Sequence, residues 1–482
     1  MTAISPKRTL LSNSVCAFIS RGSQSFTSFA ILAVIAQFRG AESVGQYVLA
    51  FNYYFIFMTI TAQGFRTLFV REIASQPEQA SKYLVNGSLL QFFSSAVGYT
   101  LLVLIVVILP YKPDTTIVCC VMGLMMFPFS LWNITEAIFL AQSKMHFQLA
   151  STAPIYFARV FLVIWVLQNG GNLIEVSAVL VASECLVLLM QWLIAVRLVK
   201  PKFQINWQFL THMLRNARTL LVVEGLAVLS ARIQVVILSL LASEAVVGLY
   251  GAILQILLPF HIFSYSLMSV VLPILSKQME DRREQQQKTI EKTLIVLLCV
   301  SLPATVGLFF QGSNLLAMLY RNSSFTEPTT NIALVIVSLN FIVLTFQQPL
   351  SLLLVANNLE RFNLREIKAS IFVSSILAVA LIPKYQLVGA AVATTISGAF
   401  GAAQYVYYAW RYACAFNFWR VTFYPTLLAA AIVIVFYGLQ ASQQNLATTL
   451  LVATTAYGIL CSLLLAHVFG GISKALNFRR LS

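Results

Sequence analysis

Charged side chains are scarce in this chain: Asp, Glu, Lys and Arg make up 10% of its 482 residues, against 59% hydrophobic residues. A water-soluble domain carries about a quarter charged residues, so too few are present to cover a surface facing water. Segments of alternating apolar and polar residues are also missing, which excludes a transmembrane β-barrel. The seven cysteines (16, 119, 120, 185, 299, 414 and 461) show no C-x-x-C spacing. They read as small apolar packing residues, neither disulfides nor metal ligands. There is no metal-ligand cluster, no G-x-S-x-G and no phosphate-cradling glycine loop. The connections on one side of the spans are all short, where a membrane transferase or polymerase needs a large structured loop. An enzyme is not expected, nor a cofactor or a bound metal.

What the chain has in abundance is apolar length. Runs long enough to cross about 30 Å of hydrocarbon recur from end to end. Fourteen candidate spans are read at residues 12–37, 45–63, 84–109, 116–141, 147–168, 174–197, 217–241, 246–273, 293–311, 329–355, 366–383, 387–409, 421–439 and 445–469. The sequence therefore predicts an all-α polytopic membrane protein. The first apolar segment is too long for the core of a cleavable signal, and no A-x-A site follows it.

The formal net charge of +15 would suggest nucleic acid as partner in a soluble protein. Its distribution gives another reading. With the N-terminus in the cytoplasm, 24 of the 31 Lys and Arg fall on the cytoplasmic side. That is the positive-inside asymmetry of an even number of spans with both termini inside. The basic charge sets topology, and the partner it implies is the lipid bilayer.

Organisation follows the polar interruptions. Residues 1–198 hold six spans, and residues 199–216 form a polar linker. Residues 217–410 hold the next six spans, and residues 411–482 hold two more and a tail. Trp207, Phe209, Leu210, Met213 and Leu214 suggest an interfacial amphipathic helix at the linker. The two six-span parts look like repeats: AESVGQY (41–47) and EAVVGLY (244–250) stand at equivalent places. An offset of 203 aligns Gly45 with Gly248, Tyr47 with Tyr250, and Arg21-Gly22 with Glu224-Gly225. Repeats of this kind are common in transporters, whose sites lie near mid-membrane.

Six ionisable side chains fall well inside spans: Arg21, Glu136, Arg159, Glu184, Glu224 and Arg232. His261 joins them. A charge at the bilayer centre costs about 2.5–3.5 kcal/mol on insertion scales, so these groups face protein or a wet cavity. Two readings are open. Pairs such as Arg159–Glu184 or Arg21–Glu224 hold helices together, or the arginines line a cavity for an anionic ligand. Buried pairs stabilise little compared with packed apolar residues, which favours the cavity. A guanidinium never loses its charge and binds phosphate oxygens through two donors at once. The candidate ligand-binding set is Arg21, Gln24, Arg159, Glu224 and Arg232, and Ser20 and Ser23 add hydroxyls beside Arg21. Glu224 and His261 are the candidate proton carriers, while Glu136 and His261 also fit plain structural roles.

Degenerate motifs spread over the chain add a resemblance. FRGAESVGQYVLAF (38–51), GFRTLFVREIA (64–74), VVGLYGA (246–252), VVLPILSK (270–277), AMLYRNSSF (317–325) and LVGAAVATTIS (387–397) resemble, in order, bacterial polysaccharide-repeat flippases of the Wzx type. That resemblance implies the fold of the multidrug/oligosaccharidyl-lipid/polysaccharide exporter superfamily: two six-helix lobes in a V around a central cavity, plus two C-terminal helices. It implies an undecaprenyl-diphosphate-linked oligosaccharide as substrate, moved from the cytoplasmic to the periplasmic leaflet of a bacterial inner membrane. A polymerase and a chain-length regulator are the protein partners it implies, with a monomeric transporter and no nucleic acid. By the same analogy Arg21, Arg159, Glu224 and Arg232 line the lumen. Two sister branches stand as alternatives: a cation-coupled multidrug exporter and the peptidoglycan lipid-precursor flippase.

Overall fold

The computed structural model describes residues 6–201, 203–278, 283–441, 448, 452 and 455–462; the side chains of residues 6–14, 17, 18, 21, 219, 440 and 441 lie outside that description. Among the described residues there is no strand. Eleven helices are long and apolar enough to cross a membrane, and two of them, Gly22–Ser75 and Glu360–Ala413, run to 54 residues. Each of these two holds a pair of the spans read from the sequence. The span at 445–469 falls largely outside the described residues. The chain divides into two compact units, Met1–Gly248 and Leu249–Ser482.

The first unit begins with α1 (Pro6–Met58), α2 (Gly64–Ser75), α3 (Ser88–Ile108) and α4 (Pro113–Gly123). It continues with α5 (Met126–Ala141), α6 (Met145–Gln168), α7 (Leu173–Val199) and α8 (Trp207–Leu241). Helix α1 carries two spans because Gly40 sits at φ 77°, ψ −172°, a conformation open to glycine alone. The neighbouring Arg39 side chain donates to the carbonyls of Gly170 and Gly171 in the α6–α7 turn. Between α1 and α2 one π-helical turn, Thr59–Gln63, replaces α-helix. Inserted turns of this kind re-aim the side chains that follow and are frequent at functional sites.

The polar stretch read as a linker carries the first turns of α8, which continue unbroken into the next span. Asn206 caps that helix by accepting from the backbone N–H of Phe209 at 3.0 Å. Phe209 and Met213 enter the core with Phe65, Phe69, Tyr83 and Ile138, while Trp207 and Leu214 stay exposed. The Lys82 ammonium lies 4.5 Å over the Phe209 ring. The amphipathic reading therefore describes one side of a helix that packs on the unit.

The two copies of the V-G-x-Y motif meet. Helix α9 (Glu244–Ile256) starts against the segment just after Gly40. A Cβ on Gly45 would lie 1.8 Å from the carbonyl oxygen of Glu244, and one on Gly248 would lie 2.1 Å from that of Ala41. Only glycine permits this backbone approach. Around it, the Glu244 carboxylate accepts from Thr115 and, at 3.2 Å, from Gln46 Nε2. Lys112 bonds Glu42 and lies 3.5 Å from Glu244. The hydrogen bond to Glu42, with the charges of Glu244 and Glu42 behind it, raises the Lys112 ammonium above its usual range.

The second unit runs through α10 (Leu258–Lys277), α11 (Arg283–Tyr320), α12 (Pro328–Ser338), α13 (Asn340–Ala356), α14 (Glu360–Tyr408) and α15 (Phe418–Ala441). Pro259 falls in the first turn of α10, where its missing N–H costs nothing. Pro273 and Pro303 lie inside helices that continue past them. Helix α14 folds back at Gln386, which adopts φ 47°, ψ −119°, so one assigned helix contains two spans. The core is an apolar cluster that includes Val271, Leu275, Leu294, Leu298, Leu350 and Leu354.

Candidate functional site

Within the first unit a cavity of about 320 Å³ opens between α1, α2, α5, α6 and α7. Helix α6 presents Gln148, Thr152, Tyr156 and Arg159 to it. Their spacing of three or four residues puts all four on one face. Helix α5 adds Trp132 and Glu136, again one turn apart, and α7 adds Glu184. From α1 come Ser20, Gln24 and Tyr54, and after the π-helical turn come Gln63 and Arg66. Ser20 and Thr152 share a 2.8 Å hydrogen bond that fixes α1 on α6.

The charges in the cavity are paired. Arg159 Nη1 donates to Glu184 Oε1 at 3.1 Å, and Arg66 Nη2 donates to Glu136 Oε1 at 2.7 Å. Glu184 also accepts from Trp132 Nε1 at 3.1 Å and from the Tyr156 hydroxyl at 3.5 Å. The Arg159 guanidinium lies 4.2 Å over the Tyr156 ring and reaches Thr27 Oγ1 at 3.4 Å. Arg159 and Glu184 are 4% and 2% exposed, so this is a desolvated pair whose attraction is offset by the cost of its own burial.

Hydrogen-bonding capacity is left over. Arg159 Nε, Arg66 Nε and Gln148 Oε1 are buried and have no partner among the described residues. Buried polar atoms are nearly always paired, and three orphans around one cavity mark where a ligand or water binds. A further cation stands close by. Arg232 on α8 lies 4.7 Å over the ring of Phe55, which lines the cavity. Its Nη1 donates to Asn52 Oδ1 at 3.3 Å. Among the described residues no carboxylate comes within ion-pair distance of it. The cavity and its rim are therefore net positive.

The structure thus brings together Gln24 and Arg159, with Arg232 behind Phe55. The side chain of Arg21 lies outside the described residues, though its backbone belongs to α1. Glu224 is half-buried on α8 and does not line the cavity. His261 belongs to α10 of the second unit. The residues missing from the sequence-based set are Arg66, Trp132, Tyr156 and Gln148. Among the described residues no group of three or more His, Cys, Asp or Glu could hold a metal ion.

A second cavity, about 630 Å³, lies in the other unit. Its walls include Phe260, Phe263, Phe341, Phe436, Pro259 and Pro303, with Gln311 and Tyr457 as polar residues.

The sequence profile of the lipid II flippase MurJ matches residues 35–464. The chain belongs to the lipid II flippase MurJ family. Among solved structures, a lipid II flippase MurJ in an inward closed conformation superimposes with a TM-score of 0.72 at 16% identity, covering 95% of this chain and 99% of that one. An inward-facing multidrug resistance MATE transporter of the MOP superfamily gives 0.62 at 11% identity, over 79% of this chain and 93% of that one. A MOP superfamily transporter from Pyrococcus furiosus gives 0.59 at 12% identity, over 84% and 96%. These establish the fold. The curated capsular polysaccharide biosynthesis protein CapF of Staphylococcus aureus is 26% identical over 185 residues, which is 38% of this chain and 46% of that protein. The alignment thus spans under half of that relative. The motifs had drawn the chain toward the polysaccharide-repeat branch; the profile match falls on the peptidoglycan-precursor branch that stood as an alternative. This family consists of lipid flippases, not of catalysts.

Proposed function

We propose that this chain translocates a saccharide carried on undecaprenyl diphosphate from the cytoplasmic to the periplasmic leaflet of a bacterial inner membrane, with both of its own termini cytoplasmic. The observation that carries this reading is the neutralised but incompletely bonded cavity of the first unit. An entering diphosphate takes Arg159 and Arg66 from their carboxylates and fills the donors left open at Nε. Glu184 keeps its bonds from Trp132 and Tyr156, while Glu136, whose ion pair is to Arg66, has to stay within reach of that guanidinium as the diphosphate binds. Gln24, Ser20 and Gln148 suit sugar hydroxyls, and Arg232 adds the excess positive charge that an anion needs. The isoprenoid chain is at home in the hydrocarbon of the bilayer. Only the polar head then requires shelter, and alternating access carries it across.

For the head group we favour an oligosaccharide repeat unit, supported by the motif pattern and by the partial likeness to a capsular biosynthesis protein. Such a chain works with a polymerase and a chain-length regulator, as a monomer. Lipid II itself is the second reading, favoured by the family profile. The test is reconstitution into liposomes with two fluorescent undecaprenyl-diphosphate lipids, one bearing a repeat oligosaccharide and one the lipid II head. Leaflet exchange is read by quenching. Faster exchange of the oligosaccharide lipid supports the first reading, and preference for lipid II supports the second. Exchange of neither, with export of organic cations instead, overturns both.

A further inference from the structure

The second unit contains a buried carboxylate that the headgroup cavity does not use. Glu366, on the first arm of α14, is 5% exposed. Its Oε1 accepts from Ser370 Oγ at 2.7 Å, and the buried hydroxyl of Tyr405 on the returning arm lies within hydrogen-bonding reach of the carboxylate. Ser351 on α13 lies within reach of that hydroxyl in turn. Asn363 Nδ2 donates to Ser351 Oγ at 3.0 Å, and Asn363 Oδ1 is buried with no partner among the described residues. A chain of neutral donors from three helical segments thus points at one carboxylate.

No cation answers it. Among the described residues no ion pair includes Glu366, whereas Glu136 and Glu184 each meet an arginine. The faces turned toward it from other elements carry Gln347 and Ser351 on α13 and Tyr405 on the returning arm, and α12 has no charged residue at all. On its own helix Arg361, Arg365 and Lys368 are exposed. The guanidiniums of Arg361 and Arg365 lie 5.0 and 5.3 Å from the Phe362 ring centroid. Glu291, the other buried carboxylate among the described residues of this unit, has a structural employment: it accepts from the backbone N–H of Asn417 at 3.0 Å and so ties α11 to the segment before α15. Among the described residues no backbone group is joined by Glu366 in this way.

We propose that Glu366 is the binding site of a proton that is taken up and released during the transport cycle. The inference rests on the transporter reading of the fold, not on the identity of the lipid. An ionised carboxylate without a cation is costly in a low-dielectric site, and a neutral one is not. Protonation removes that cost and needs only one hydroxyl to turn round, because Ser370 and Tyr405 both donate and accept. The space fits a proton and not a metal ion with its own ligand shell. A Cβ on Gly401 would lie 2.3 Å from Glu366 Oε1 and 2.8 Å from Gln347 Nε2, so the backbone of the returning arm closes directly on the carboxylate. Changing the charge at that contact changes how tightly the two arms of α14 and helix α13 hold together, which links the proton to conformation.

The experiment is infrared difference spectroscopy on the full chain in lipid nanodiscs, titrated from alkaline to acidic pH without substrate. The expected result is a carbonyl band of a protonated carboxyl group that grows on acidification. It is lost in Glu366→Gln, kept in Glu136→Gln, and displaced in frequency in Tyr405→Phe, which removes one hydrogen bond. Tyr405→Phe keeps the test decisive where Glu366→Gln does not fold. Growth of the same band in a folded Glu366→Gln protein, or an undisplaced band in Tyr405→Phe, overturns the proposal. So does a sodium-dependent thermal shift that requires Glu366, which would assign the site to a metal cation. Because no lipid substrate is present, failure of the headgroup assignment leaves this readout untouched. In liposomes an imposed pH gradient is expected to change the exchange rate several-fold in the native chain and not in Glu366→Gln.

Discussion

The Arg159–Glu184 pair allows structural and functional roles to be separated in one mutant series. Replacing Arg159 by Leu leaves Glu184 without a cation, 2% exposed and held only by Trp132 and Tyr156. Breaking one side of a buried pair costs about 3–5 kcal/mol, roughly a hundredfold or more in the ratio of folded to unfolded protein. Glu184→Leu strands the guanidinium over the Tyr156 ring, with a loss of the same order. The double variant removes both charges. It is expected to range from native stability to about 4 kcal/mol above it, because packed apolar residues replace a desolvated pair. Exchange of the lipid-linked saccharide should nevertheless fall at least tenfold, since the diphosphate has lost its buried donor. Thermal unfolding in nanodiscs gives the stabilities, and quenching in liposomes gives the rates. A double variant that is stable and exchanges lipid at the native rate refutes the reasoning: the pair would then be a helix clamp and nothing more.

Other outcomes follow from the contacts around the two motif glycines and from the caps. Gly45→Ala places a methyl group against the Glu244 carbonyl and should destabilise the protein by about 1–3 kcal/mol, whereas Gly22→Ala, with nothing within 4 Å of the new Cβ, should be neutral or slightly stabilising; differential thermal unfolding compares them. Lys112 contributes while protonated, and its ammonium is raised above its usual range by Glu42 and Glu244. That contribution is full below the unfolded-state value and disappears as pH rises through the folded one, so Lys112→Gln should flatten the alkaline limb of the stability profile. Asn206→Ala removes the cap of α8 and should cost about 0.5–2 kcal/mol, seen as faster hydrogen exchange at Phe209 than in the rest of α8.

The spans were legible because their apolar runs are long, and the break at Gly40 fell between two of them as expected. Arg159–Glu184 stood as a pair in one of the two readings open for the intramembrane charges, because both residues interrupt apolar runs. Arg66 escaped notice because it stands beside Arg71 and Lys82 and was counted with the flanking positive charge. Its place in the cavity depends on the π-helical turn just before it, which hydropathy does not register. Glu136 read as bland for the same reason, since its partner was assigned elsewhere. Trp132, four residues before Glu136, was a usable signal: that spacing puts an N–H donor and a carboxylate on one helical face. Glu366 was hidden among Arg361, Arg365 and Lys368, where a run of charge looks like a solvated connector. The motifs that suggested the branch are common to the superfamily, so they carried the fold further than the substrate.

The meeting of Gly45 with the start of α9, and of Gly248 with Ala41, leaves natural variation a narrow choice. Neither position accepts even a methyl group, so the backbone fit there is all or nothing. The strength of the contact can be graded only at its polar margin, through Glu42, Gln46, Lys112, Thr115 and Glu244. Of these, Glu42 and Lys112 are exposed charges and respond to ionic strength; the glycines do not. A chain of this kind can therefore adjust how strongly the contact holds in different salt by changing charges at the edge while the centre stays fixed.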